Sequence, residues 1–196
     1  MLSAALATLT LFTNLGGRRL EPDEAYYALA TDDIHATGRW ATVYIHPSYP
    51  YFNKPPLYMW LSALTYDRFA SMEVRYRFWS AAFGVLAAGL TGALGTRVAG
   101  PAAGIIAASI LSTNRAWLFE HGARFGGMDA ALAACLAAML LLYVRDSSRP
   151  SGGLWRWAII GVLAGLASLL KPLGGVPMLG LLAIHAALAE RVAGHA

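Results

Sequence analysis

Six stretches of the chain run without a charged residue: Met1 to about Gly17, Phe78 to Thr96, Val98 to Asn114, Ala130 to Val144, Trp157 to Leu170 and Pro172 to Ala189. A charge near the middle of a bilayer costs about 2.5–3.5 kcal/mol on the insertion scale, so charge-free blocks mark membrane segments. Several fall short of the ~20 residues that a helix needs to cross ~30 Å of hydrocarbon. They borrow flanking residues, with arginine and lysine heads snorkelling at the ends. Alanine and glycine fill most of the blocks, which suits close helix–helix contact in lipid. The first block lacks the positive start of a signal peptide, since it opens Met1-Leu2-Ser3, and is read as a transmembrane helix. The pattern predicts an all-α polytopic membrane helical bundle of about six spans. A long helical outer loop occupies about residues 17–77, and the membrane bundle about residues 78–190.

Composition agrees with this reading. The 196-residue chain is 57% hydrophobic and 13% charged, with a mean hydropathy of +0.50. A soluble domain carries about 25% charged residues, so half that density cannot cover a water-facing surface. The net charge of +4 is spread without a basic run, and no nucleic-acid partner is expected. The single cysteine, Cys135, permits no intrachain disulfide and no thiolate metal cluster.

Six spans place residues 17–77, 115–128 and 171–175 on one side of the membrane. The opposite connections are short and net positive, with Arg97, Arg145, Arg149, Arg156 and Arg191 against Asp146 and Glu190. The positive-inside rule makes these cytoplasmic and puts the long loop outside; its seven basic and seven acidic residues do not oppose translocation. Arg75 and Arg77, beside the second block, pull mildly the other way. The segment Arg145 to Gly153 reads as a plain polar connector.

Unusual polar residues collect on the outer side. In Glu21-Pro22-Asp23-Glu24-Ala25-Tyr26-Tyr27, Pro22 suits a first helical turn, and the carboxylates of Asp23 and Glu24 complement its positive end. The same residues could instead hold a base at the membrane surface for an acceptor hydroxyl. Tyr26 and Tyr27 fit an interfacial belt or a sugar site. Further on, Lys54 precedes Pro55-Pro56, and Pro56 can open a helix running towards Phe69. A lysine ahead of a helix start is locally unfavourable unless an anion such as phosphate lies between them. Lys171-Pro172 repeats the device on the same side. Asp129 opens the fourth span, and Arg124, across a Gly126-Gly127 flexure, could pair with it or bind phosphate. Asp32, Asp33, His35, His46, Glu120 and His121 could suggest a divalent metal, but no recognised ligand spacing supports one and no cofactor is firmly expected. His185 reads as a packed helix residue.

Taken together, these residues resemble a known family. The Asp-Glu-Ala-x-Tyr start of the outer loop and the segment Tyr51-Phe52-Asn53-Lys54-Pro55-Pro56-Leu57-Tyr58-x-Trp60 are its marks. Ala123-Arg124 with Asp129, and the Lys171-Pro172-Leu173-Gly174 turn, follow in the same order. The pattern is similar to that of the membrane glycosyltransferases of the protein O-mannosyltransferase and aminoarabinose lipid A transferase superfamily, over about residues 1–190. The resemblance implies a GT-C-like fold and an inverting transfer of sugar from a polyprenyl-phosphate carrier to an acceptor hydroxyl. The reaction would take place at the outer face of the cytoplasmic membrane, and the acceptor would be a lipid, a glycan or a protein. It implies that Asp23 acts as catalytic base with Glu24 beside it, and that Lys54, Lys171 and Arg124 bind the carrier phosphate. Asp129, Tyr26, Tyr51 and Tyr58 would shape the site. Asn53 stands where the lipid A branch carries an acidic residue, and family members are commonly more than twice as long, so the chain reads as an amino-terminal part. Two other classes stay open: a non-catalytic carrier-lipid-binding or assembly module, and a small transporter subunit. The latter would be expected to place ionisable residues within its spans rather than at their ends.

Overall fold

The computed structural model describes residues 2–144 and 153–193, so the expected polar connector lies, up to residue 152, outside the described residues. The chain forms helices α1 (Leu2–Phe12), α2 (Pro22–Thr37), α3 (Leu57–Leu64), α4 (Met72–Ala99), α5 (Pro101–Thr113), α6 (Arg115–Phe119), α7 (Asp129–Val144), α8 (Leu154–Leu170) and α9 (Val176–Ala193). A 3-10 turn at Tyr66–Arg68 follows α3, so the helix expected to run from Pro56 towards Phe69 breaks after Leu64. An all-α reading also omits a small antiparallel hairpin, β1 (Tyr44–His46) and β2 (Tyr49–Pro50), which Pro47-Ser48 turns back on itself. Tyr51 extends it by donating its N–H to the Val43 carbonyl at 2.8 Å.

Among the described residues, α4 alone is long and apolar enough by itself to cross a bilayer. The expected spans at α5, α7 and α8 are apolar helices of 13, 16 and 17 residues. Helix length therefore supports one span directly and leaves the count of six to other arguments. One reason for the short α5 is local. Gly100, at φ 88°, ends α4 in a conformation open to glycine, and Pro101 then starts α5, so Arg97 and Val98 fall in the last turn of α4.

Helix α4 is the axis of the fold. Its buried stripe, Tyr76, Arg77, Ser80, Ala81, Gly84, Ala87 and Ala88, follows the helical three-and-four spacing. It is mostly of small residues, so neighbouring helices approach closely. At the α4–α5 crossing, a Cβ on Gly104 would lie 2.5 Å from the Gly92 carbonyl oxygen. Gly104→Ala is expected to cost about 1–3 kcal/mol through overpacking, read as a lowered unfolding temperature in detergent; an unchanged temperature would show that the helices can part freely. Large apolar side chains such as Ile105, Ile106 and Ile110 on α5 and Leu181, Ile184 and Leu188 on α9 face outwards. In water that display would be an adhesive patch, whereas in hydrocarbon it costs nothing.

The segment between α1 and α4 packs against the starts of α4 and α7 and the end of α8. On α2, Glu24, Tyr27, Ala28, Ala30, Thr31 and Ile34 form one buried face. Tyr27, Ala30 and Ile34 of that face join Val43, Tyr58, Met59, Phe125, Met128, Ala131 and Leu170 in a single apolar cluster, which makes the floor on which the polar residues stand.

Candidate functional site

The start of α2 is fixed before any chemistry is considered. Pro22 occupies the first turn, and Glu21 and Glu24 form a capping box, with the Glu21 N–H donating to Glu24 Oε2 at 2.8 Å. Glu24 is fully buried. Its carboxylate takes Arg77 Nε at 2.6 Å on one oxygen and Arg77 Nη2 at 2.7 Å on the other, and the Gly126 N–H donates to it at 2.6 Å. Burial alone would push this carboxyl up, but the guanidinium and the two amides outweigh it and hold the group below its usual range. Arg77 spends its remaining donors on the carbonyls of Leu15, Arg18 and Arg19 at 3.1, 2.8 and 2.9 Å. One buried ion pair thus ties together the segment after α1, the start of α2, the first turns of α4 and the loop before α7.

With Glu24 held inside, Asp23 faces the other way. It lines a cavity of about 280 Å³ with Tyr27, Lys54, His121, Phe125, Gly127, Met128, Asp129 and Lys171. Asp23 comes from the first turn of α2, Lys54 from the chain before α3, Asp129 from the first residue of α7 and Lys171 from the residue that ends α8. Asp129 and Lys171 form an ion pair. Lys54 makes no hydrogen bond or ion pair among the described residues and also borders a second cavity of about 220 Å³, lined by Val43, Tyr51, Phe52 and Pro172. Burial, with Tyr51, Asp23 and Asp129 close by, pushes the Tyr27 phenol well above its ordinary value, so it stays a hydrogen-bond donor at neutral pH. Two ammoniums, two carboxylates, a phenol and an imidazole border one opening, so cationic contacts for an anion and a carboxylate for a hydroxyl proton stand side by side.

Of the residues singled out in the sequence, Asp23, Lys54, Asp129 and Lys171 meet here, and Tyr51 lines the adjoining space. Glu24 does not line the cavity, because Arg77 holds it in the core. Arg124 points away as well. Its guanidinium donates to the carbonyls of Thr10 and Asn14 at the end of α1 and lies 5.3 Å from the Phe119 ring centroid. The suggested pairing of Arg124 with Asp129 is replaced by Lys171 with Asp129. Tyr58 is buried and donates to the Tyr76 carbonyl at 2.6 Å, and Tyr26 is half-exposed outside both cavities. The residues weighed as metal ligands are dispersed: Asp32 accepts from Tyr66 and Tyr76, Asp33 pairs with Arg39, and His35 stacks on Tyr66.

Sequence reasoning missed Arg77 as a site-building residue, and it considered His121 only as a metal ligand. The placement of His121 is a backbone effect. Its φ is 57°, and a Cβ on the following Gly122 would lie 1.6 Å from the Trp117 carbonyl oxygen, so only glycine fits there. The His-Gly pair marks a sharp reversal, which is the one signal the sequence offers.

Two lysines and two carboxylates thus border one cavity on a predominantly helical fold with a long apolar helix. Comparison with known proteins gives the family. Residues 53–194 match the model of the dolichyl-phosphate-mannose-protein mannosyltransferase family, and the chain belongs to that family. The resemblance read from the motifs is thereby confirmed as a GT-C glycosyltransferase relationship. The structure is similar to that of ArnT from Cupriavidus metallidurans bound to undecaprenyl phosphate, with a TM-score of 0.74 and 27% identity over 97% of this chain and 35% of that one. The apo state of the same protein gives a TM-score of 0.70 at 28% identity, over 97% of this chain and 36% of that one. An uncharacterized protein of Aquifex aeolicus (strain VF5) is 27% identical over 161 residues, covering 82% of this chain and 32% of its own length. The chain thus spans about a third of the length of the relatives it matches.

Proposed function

We propose that the cavity receives the phosphate of a polyprenyl-phosphate-linked sugar, and that the chain supplies the amino-terminal part of a membrane enzyme passing that sugar to an acceptor hydroxyl. The observation that carries this reading is the convergence of Asp23, Lys54, Asp129 and Lys171 on one cavity from four separate parts of the chain. Lys54 and Lys171 meet the phosphate, whose charge grows as the bond to the sugar breaks. Asp23 takes the acceptor proton, and attack from the face opposite the phosphate inverts the anomeric carbon. Glu24 and Arg77 are positioning residues that set the direction of Asp23. Tyr27 and Tyr51 offer hydrogen bonds and ring faces to the sugar. The lipid tail needs an apolar path, which the second cavity begins at Lys54.

The same reading places the outer segment, residues 17–77, on the external face of the cytoplasmic membrane and treats α1, α5, α7, α8 and α9 as further spans beside α4. Their outward isoleucines and leucines and the short arginine-rich connections of the opposite face support it. Photoreactive undecaprenyl phosphate tests the site directly. In nanodiscs, saturable labelling is expected to fall at least about tenfold in Lys54→Ala, as loss of a charge-assisted contact predicts. Equal labelling of the variant and the parent would remove Lys54 from the site.

A further inference from the structure

Formal charge in the main cavity sums to zero: Asp23 and Asp129 against Lys54 and Lys171. Any lipid phosphate that enters makes the cavity net negative. The deficit worsens at the phosphate itself during transfer. The acceptor oxygen bonds to the anomeric carbon and gives its proton to Asp23. The bond from that carbon to the phosphate oxygen breaks, and its electron pair stays on oxygen. A phosphodiester with one negative charge becomes a monoester with up to two, whose second proton is held with a pKa of about 6.

His121 is the imidazole in that lining, and imidazole is the side-chain type that exchanges a proton most readily near neutral pH. Its position is imposed rather than incidental, since the left-handed backbone at 57° and the obligatory Gly122 aim this segment at the cavity. The Phe125 ring lies 4.7 Å away between centroids and steadies the imidazole. The charged and titratable groups facing it are Asp23 and Tyr27 from α2, Lys54 ahead of α3, Asp129 from α7 and Lys171 after α8; its neighbour Glu120 is exposed and lies outside the cavity lining.

We propose that His121 is the proton-bearing counter-ion of the carrier phosphate: as imidazolium it holds the monoester left after transfer and can hand it a proton. His121 becomes neutral and the monoester keeps one charge; the proton that Asp23 took from the acceptor then passes through water to His121, so both groups return to their starting states. This inference rests on the carrier-phosphate reading of the cavity.

The test measures binding of undecaprenyl phosphate to the chain in phosphatidylcholine nanodiscs from pH 5.5 to 8.5. His121→Asn is the chosen variant, because asparagine tolerates the left-handed backbone and removes the titrating group, while the lost ring contact with Phe125 is independent of pH. Wild type is expected to bind about tenfold more tightly than His121→Asn at pH 5.5 and to converge with it by pH 8.5. Ionisation of the phosphate itself is common to both proteins and cancels in the ratio. A ratio that stays constant with pH overturns the proposal. Isotope-labelled histidine gives a readout on the unaltered protein: adding undecaprenyl phosphate is expected to move the His121 midpoint upwards, by the reciprocity of linked binding. An unmoved midpoint overturns the proposal even if the variant folds poorly. Absence of saturable binding by wild type at every pH would instead sink the carrier site itself.

Discussion

Replacing Arg77 by alanine is expected to destabilise the folded chain by about 3–5 kcal/mol, because it leaves the Glu24 carboxylate buried without its cation. The loss exceeds that of an ordinary ion pair because three backbone carbonyls lose their donor as well. Thermal unfolding in detergent reads the effect, and a shift within the scatter of the parent would refute the assignment. The pair also sets an acid limit. Since Glu24 is held below its usual range in the folded protein, its contribution is fully present above the unfolded carboxylate value of about 4.3 and drains away as pH falls through the lower folded value. Glu24→Gln is expected to flatten that part of the pH–stability curve while lowering stability at neutral pH.

The second large effect belongs to Asp23. In the protein that carries out transfer, Asp23→Asn is expected to slow movement of labelled sugar from a polyprenyl-phosphate donor by about 10²- to 10⁴-fold, the usual weight of a general base. Photolabelling by undecaprenyl phosphate should hold steady or rise, since one negative charge has left the cavity proposed to receive the anion. That separation of chemistry from binding is the mark of a base. Parallel loss of both would make Asp23 a structural residue instead.

Much of this site was legible because a polar residue at the end of an apolar block has few reasons to be there. Asp129 and Lys171 border charge-free stretches, Asp23 stands in a first helical turn opened by Pro22 and Lys54 just ahead of Pro55-Pro56, and all four line the cavity. The buried tie was not legible. Arg77 opens the apolar part of α4 and therefore looks like an interfacial anchor, and three of its partners are backbone carbonyls, which carry no sequence signature. Glu24 was misjudged for the same reason: adjacent carboxylates look equivalent in a sequence, yet the turn of α2 sends one inwards and its neighbour out. Arg124 looked like a phosphate ligand, but its acceptors lie more than a hundred positions away at the end of α1. Span lengths were read too generously where Gly100 and Pro101 set a helix boundary that hydropathy alone does not register.

The three carbonyls grasped by Arg77 join the exit of α1 rigidly to the long α4, and the same guanidinium fixes the first turn of α2. Helices in a bilayer adjust their tilt to its hydrophobic thickness. On the proposed reading, a thinner or thicker membrane that leans α1 or α4 swings Asp23 along with them, and the spacing between Asp23 and the proposed phosphate position becomes a property of the lipid as well as of the protein.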